Sequence, residues 1–371
     1  MRLGYHTGYW SAGPPEGAQQ AVLTAERLGF DSVWTAEAYG SDAFTPLAWW
    51  GAATQRIRLG TAVAQISART PTATAMAALT LDHLSGGRFV LGLGVSGPQV
   101  VEGWYGQPYP RPLARTREFV AVVRQVLARE APVTYDGEFY RLPLPPYQGM
   151  GLGKPLRSTV HPLRAHLPIH LAAEGPRNIA LAAEIADGWL PLFYAPRLDG
   201  ELRDLLEDGF ARRGADASPR ESFEVTATVP VVLGDDVEQA ADEVRPFIAL
   251  YAGGMGARGA NYHRDALARL GYGEALDEIA AHFLAGDRVR AAAAVPTELV
   301  RDVALVGTAE DLRAQLAGWE RTAVTTMLLQ TDAARLEPVA EALGARGGSG
   351  SDGGDDPVES HGPVAGDRLA R

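Results

Sequence analysis

"DSVWTAEAYGSDAFTPLAWWGAATQRIRLGTAVAQ", residues 31–65, changes period twice. The apolar run at 31–35 reads as a strand. Residues 44–55 read as a helix, with Pro46 tolerated in its first turn. Residues 57–65 read as the next strand. Strand, helix and strand in one short stretch mean parallel strands joined by a right-handed crossover.

The same unit repeats on both sides. Upstream lie a strand at 3–7 and a helix at 16–30 that reaches its C-cap at Gly29. Downstream, a helix at 70–84 leads to the strand "RFVLGLG" (88–94), and a helix at 113–129 follows. Strands return at 168–175, 188–192, 223–233 and 325–330, with helices at 176–186 and 308–322 and a Gly-interrupted helical region over 237–300. Residues 133–142 predict a small hairpin around Asp136-Gly137. The stretch 143–167, rich in Pro, Gly and Leu, reads as an excursion outside the core.

Eight strands with intervening helices favour a closed (β/α)8 TIM barrel with insertions, over residues 1–343, above an open doubly wound sheet. From Gly344 the chain reads "GARGGSGSDGGDDPVESHGPVAGDRLAR", a low-complexity tail over 344–371 expected to be disordered.

Composition narrows the function. Of 371 residues, 46% are hydrophobic and 21% charged, as in an ordinary globular protein. No apolar run of about 18 residues is present, so no membrane span is expected. The N-terminus enters a strand-like pattern without a signal-peptide core, which reads as cytoplasmic. There are no cysteines, which excludes disulfides, thiolate metal sites and cysteine nucleophiles. The net charge of −11 argues against nucleic acid as a main partner. Neither H-x-H nor H-E-x-x-H occurs, so no metal is expected.

In a barrel, chemistry sits at the C-terminal strand ends. Glu37 and Tyr39 follow the second strand, where a carboxylate could accept a ligand's hydrogen bond or act as general base; a solvated loop acid is the plainer reading. Small residues and Gln65 close the third strand, where a flat ring could lie on the backbone. After the fourth, Gly92, Gly94, Ser96 and Gly97 ask what approaches the chain so closely; a glycine-rich turn is the plainer reading. The spacing is not a dinucleotide fingerprint. After the fifth, Gly175 and Pro176 open a helix whose N-terminus is a ready anion site, with Arg177 adjacent. His6 and His170 are the histidines expected to face the barrel axis or its mouth.

"ERLGFDSVWTAEAYG", "RIRLGTAV", "LDHLSGGRFVLGLGVSG", "AAEGPRNIALAAEIADGWLP" and "VGTAEDLRAQL" together resemble the bacterial-luciferase-like flavin monooxygenase superfamily, and within it the actinobacterial deazaflavin oxidoreductases that use coenzyme F-420. The resemblance implies a (β/α)8 barrel with the deazaflavin at the strands' C-terminal ends. It implies a non-proline cis peptide at or near Ala62–Val63, a bulge against which the ring bends. It implies that Ser96 and Gly97 flank the cofactor, that Gln65 takes a ring or ribityl contact, and that Glu174, Gly175 and Pro176 lie beside the side-chain phosphate.

One departure matters. Related sugar-phosphate dehydrogenases carry Asp-His after the second strand, and this chain has Glu37-Ala38. Glu37 can still hold the cofactor, but the catalytic His is missing, so His6 and Tyr39 become the candidate acids. The expected function is hydride transfer between F-420 and an unidentified small organic substrate. An FMN-dependent monooxygenase using dioxygen and a separate reductase is the alternative. A cofactor-free or degenerate binding protein is the alternative of another class. A homodimer is expected from the resemblance, and the helices after strands two and three have an apolar face compatible with it.

Overall fold

The computed structural model describes residues 1–215, 217–256 and 261–345. Eight parallel strands close on themselves: β1 (Arg2–His6), β2 (Ser32–Thr35), β3 (Arg58–Thr61), β5 (Phe89–Gly94), β8 (Ile169–Ala172), β9 (Gly188–Leu190), β10 (Glu224–Leu233) and β12 (Thr326–Gln330). β12 pairs with both β1 and β10, and β10 with β9, which completes the ring. The architecture is the expected (β/α)8 barrel.

Its crossovers carry α1 (Ala18–Arg27), α2 (Phe44–Gly51), α3 (Pro71–Leu84), α4 (Pro98–Gly103), α5 (Pro112–Ala128), α6 (Pro176–Ile185) and α7 (Asp199–Phe210). After β10 comes a helical insertion, α8 (Val237–Gly253), α9 (Tyr262–Ala268), α10 (Gly273–Leu284), α11 (Arg288–Ala293) and α12 (Thr297–Val303), which builds a small core of its own. The strand β11 (Leu305–Gly307) then adds to the outside of β10, and α13 (Ala309–Trp319) and α14 (Leu336–Ala342) cover β11, β10 and α1.

Local chemistry sets these boundaries. Thr70 caps α3 by accepting from the Ala73 N–H with Pro71 at the first position, and Thr308 and Asp311 form a reciprocal capping box on α13. The hairpin forms as β6 (Tyr135–Asp136) and β7 (Arg141–Leu142). The excursion that follows has its base tied to the barrel by Arg164, which grips buried Asp82 on α3.

The continuous third strand expected over 57–65 is broken. β3 ends at Thr61, the Ala62–Val63 peptide is cis, and β4 (Ala64–Gln65) resumes pairing with β5. Gly60 faces Val90 and Ala64 faces Leu93, so four steps on one side meet three on the other, which defines a bulge. The Thr61 hydroxyl bridges the gap, donating to Gly92 O at 2.7 Å and accepting from Gly92 N–H at 2.8 Å.

Large and small residues alternate inside the barrel. The Trp34 ring fills the axis and stacks on His170, with centroids 5.7 Å apart. A Cβ on Gly60 would lie 2.2 Å from that ring. At the N-terminal end, Arg58 joins Asp31 at 2.6 Å and Glu224 at 3.0 Å, which pins β2, β3 and β10 together. Among the described residues no helix is long and apolar enough to cross a membrane. The expected tail lies outside the described residues from 346 onward.

Candidate functional site

A cavity of about 1160 Å³ opens at the C-terminal ends of the strands. Its lining contains His6, Glu37, Tyr39, Ala62, Val63, Gln65, Ser96, Gly97, Glu174, Gly175 and Pro176, all raised from the sequence. The barrel topology brings together segments as far apart as 6 and 176.

The side chains are committed unequally. Glu37 is buried, and both carboxylate oxygens are engaged: Arg69 donates to them at 2.7 and 2.9 Å, and the Gln65 backbone N–H donates at 2.9 Å. The Gln65 side-chain amide returns a bond to Glu37 O at 3.0 Å. Glu37 therefore clamps the bulge to β2 through both of its oxygens. Arg69 was not singled out in the sequence, because its partner is 32 residues away.

His6 is also held by backbone. Gly8 N–H donates to Nδ1 at 3.0 Å, which places the ring proton on Nε2, 3.4 Å from Ala62 O. Burial lowers its pKa from 6.5 to about 4, so it is a neutral ring near neutral pH. Tyr39 projects outward and is 60% exposed. His170 lies under the cavity, stacked in the barrel core, and does not line it.

The glycines after the fourth strand receive a different reading from the structure. A Cβ on Gly92 would lie 1.8 Å from Thr61 O, and one on Gly94 would lie 2.4 Å from a Val63 methyl. What approaches this backbone is the bulged neighbouring strand. Further on, Ser96 takes a left-handed conformation (φ 59°), and its carbonyl accepts from the Tyr109 hydroxyl at 2.9 Å.

At α6 the helix N-terminus opens into the cavity, and a Cβ on Gly175 would meet nothing within 4 Å. Glu174 beside it accepts from Leu192 N–H at 2.9 Å, and burial raises its pKa to about 7 despite the Arg269 charge nearby. Arg269 donates to Glu174 O at 2.7 Å, while its Nε and Nη1 find no partner among the described residues.

The opposite wall was not expected from the sequence. Tyr9 comes from the loop after β1; Phe247 and Tyr251 come from α8; His263 and Arg269 come from α9 and its end. Tyr251 packs against Phe193, Phe247 and His263 with centroids 5.6, 4.8 and 4.8 Å away. The aromatic spacing inside 237–300 was a signal for packing, but local pattern does not say that this helical insertion overhangs the barrel mouth.

The family of luciferase-like monooxygenases matches residues 3–326. A putative coenzyme F-420-dependent oxidoreductase of Mycobacterium tuberculosis is 58% identical over 90% of this chain and 96% of its own length. In fold, the chain is similar to a coenzyme F-420-dependent tetrahydromethanopterin reductase from Methanopyrus kandleri (TM-score 0.75, 20% identity, 92% of this chain and 98% of that one). It is also similar to an F-420-dependent secondary alcohol dehydrogenase solved with an F-420–acetone adduct (TM-score 0.73, 17% identity, 93% and 98%). With the barrel, the bulged third strand and a match over most of its length, the chain belongs to the luciferase-like monooxygenase family.

Proposed function

We propose that this protein is an oxidoreductase that works with the deazaflavin coenzyme F-420 on a small organic substrate. The observation that carries this reading is the cavity over the Ala62–Val63 bulge in a chain 58% identical to a relative named for that coenzyme.

The residues present fit the group. Gln65 Oε1 is buried and has no partner among the described residues, which suits it to accept a ring N–H beside the bulge. The open space above Gly175 at the α6 N-terminus leaves room for a phosphate beside backbone N–H groups. When bound, the coenzyme supplies the hydride chemistry. The chain supplies the rest. Ala62 and Val63 back the ring, Ser96 and Gly97 border it, and Glu37 with Arg69 fixes the bulge. Glu174, with its raised pKa, sheds charge near neutrality beside an anion. A cavity of about 1160 Å³ leaves space for a second organic molecule.

The protein works as a homodimer in the cytoplasm. Support for the dimer is the apolar surface of α2 and α3.

The test is quenching of tryptophan fluorescence by added F-420, with FMN titrated in parallel. Tighter binding of F-420 is expected. Preference for FMN would favour the monooxygenase, and binding of neither would remove the coenzyme from the account.

A further inference from the structure

Moving a hydride onto a substrate carbonyl or imine requires a proton for the oxygen or nitrogen; of the groups expected to give one, Glu37 and His6 are occupied, and Tyr39 projects outward, 60% exposed. Glu37 is held by Arg69 and Gln65, and His6 is a neutral ring with one nitrogen accepting from Gly8 and the other facing Ala62 O. Tyr109 and Tyr105 donate their hydroxyl protons to the carbonyls of Ser96 and Ala38.

Tyr9 differs from all of these. Its hydroxyl accepts a hydrogen bond from the Tyr251 hydroxyl at 3.3 Å, and its own proton has no acceptor among the described residues. Tyr251 is 2% exposed and fixed by the Phe193, Phe247 and His263 rings, so its donation is aimed by packing. Tyr9 is 45% exposed and lines the cavity. One phenol is thus buried and donating, and the other is turned to the cavity with a proton to give.

We propose that Tyr9 is the proton donor to the substrate heteroatom, with Tyr251 as its positioning residue. This rests on the deazaflavin reading above. The balance closes: the substrate carbon gains a hydride from the reduced coenzyme, and the C=O π bond breaks. The oxygen takes the Tyr9 proton, and the resulting phenolate, held by the Tyr251 hydrogen bond, recovers a proton from water at its exposed edge. In the reverse direction the alcohol proton passes to the same phenolate.

The experiment uses the protein loaded with oxidised F-420, so that no turnover occurs, and 4-(dimethylamino)cinnamaldehyde as a carbonyl probe. Its absorption moves to the red when its oxygen accepts a hydrogen bond. Coenzyme loading is measured first, by fluorescence quenching. A red-shifted band is expected in the natural protein. It should disappear in Tyr9→Phe and weaken in Tyr251→Phe, each read at saturating coenzyme as fixed by the quenching titration. Failure of the coenzyme to bind overturns the deazaflavin reading and the proposal with it. With coenzyme bound, three results overturn the proposal alone: no shifted band in the natural protein, a band that survives Tyr9→Phe, or a band lost in Tyr39→Phe instead.

Discussion

Gly92 shows how far a single residue can be read and where the reading stops. Its lack of a side chain was legible, but what occupies the space was not. The tight approach is made by Thr61 O, 1.8 Å from where a Cβ would sit, and a glycine in a sequence does not say from which side it is approached. Gly92→Ala would force apart two hydrogen-bonded strands at the bulge. Overpacking a close-packed interior costs roughly 1–3 kcal/mol, and more where the clash is with backbone. The expected loss is about 3 kcal/mol in urea unfolding, with weaker coenzyme binding. A loss below about 1 kcal/mol would contradict this packing account. Glu37 was found in the sequence from its place after β2, yet its engagement with Arg69 depends on a loop beyond β4 that the local pattern does not orient.

At the level of elements, the strands were read well because those buried on both faces are nearly continuous apolar runs. The elements that went unread are short or largely polar. α4 has six residues, β11 has three, and α7 carries Asp199, Glu201 and Asp204 through its first half. The helices after β2 and β3 present Trp49 on α2 and Met76 and Leu84 on α3, which are 71%, 60% and 72% exposed. Large apolar side chains left open on neighbouring helices mark an association surface. The excursion adjoins this face, through a 2.7 Å contact of His83 Nε2 with His161 O. Sedimentation at micromolar protein is therefore expected to give the mass of two chains, and Trp49→Lys combined with Met76→Lys that of one. A natural protein that sediments as a single chain would contradict the dimer.

For the molecule as a whole, the parallel barrel was legible because its repeat is global, and its mouth was legible because strand C-termini gather there. The wall bearing Tyr9, Tyr251, His263 and Arg269 was not, since it depends on how an insertion folds back over the barrel. The same burial sets the acid response. His6 and His170 have folded pKa values lowered from 6.5 to about 4, so the unfolded chain binds more protons between those values. The stability they contribute is fully present above pH 6.5 and is lost as pH falls toward 4. Glu174, raised from 4.5 to about 7, has the opposite sign, favouring the folded state below pH 4.5 and losing that contribution as pH rises through 7. Urea midpoints taken between pH 7 and pH 4.5 should fall on the acid side, with a shallower slope in His170→Gln. An unchanged slope would place the acid sensitivity elsewhere.

The most direct test of the central claim is a crystal structure of the complex with oxidised F-420. The account expects the ring against Ala62–Val63, within reach of Gln65, and the phosphate at the α6 N-terminus beside Gly175. A coenzyme bound elsewhere, or a cavity that takes FMN in its place, would contradict it.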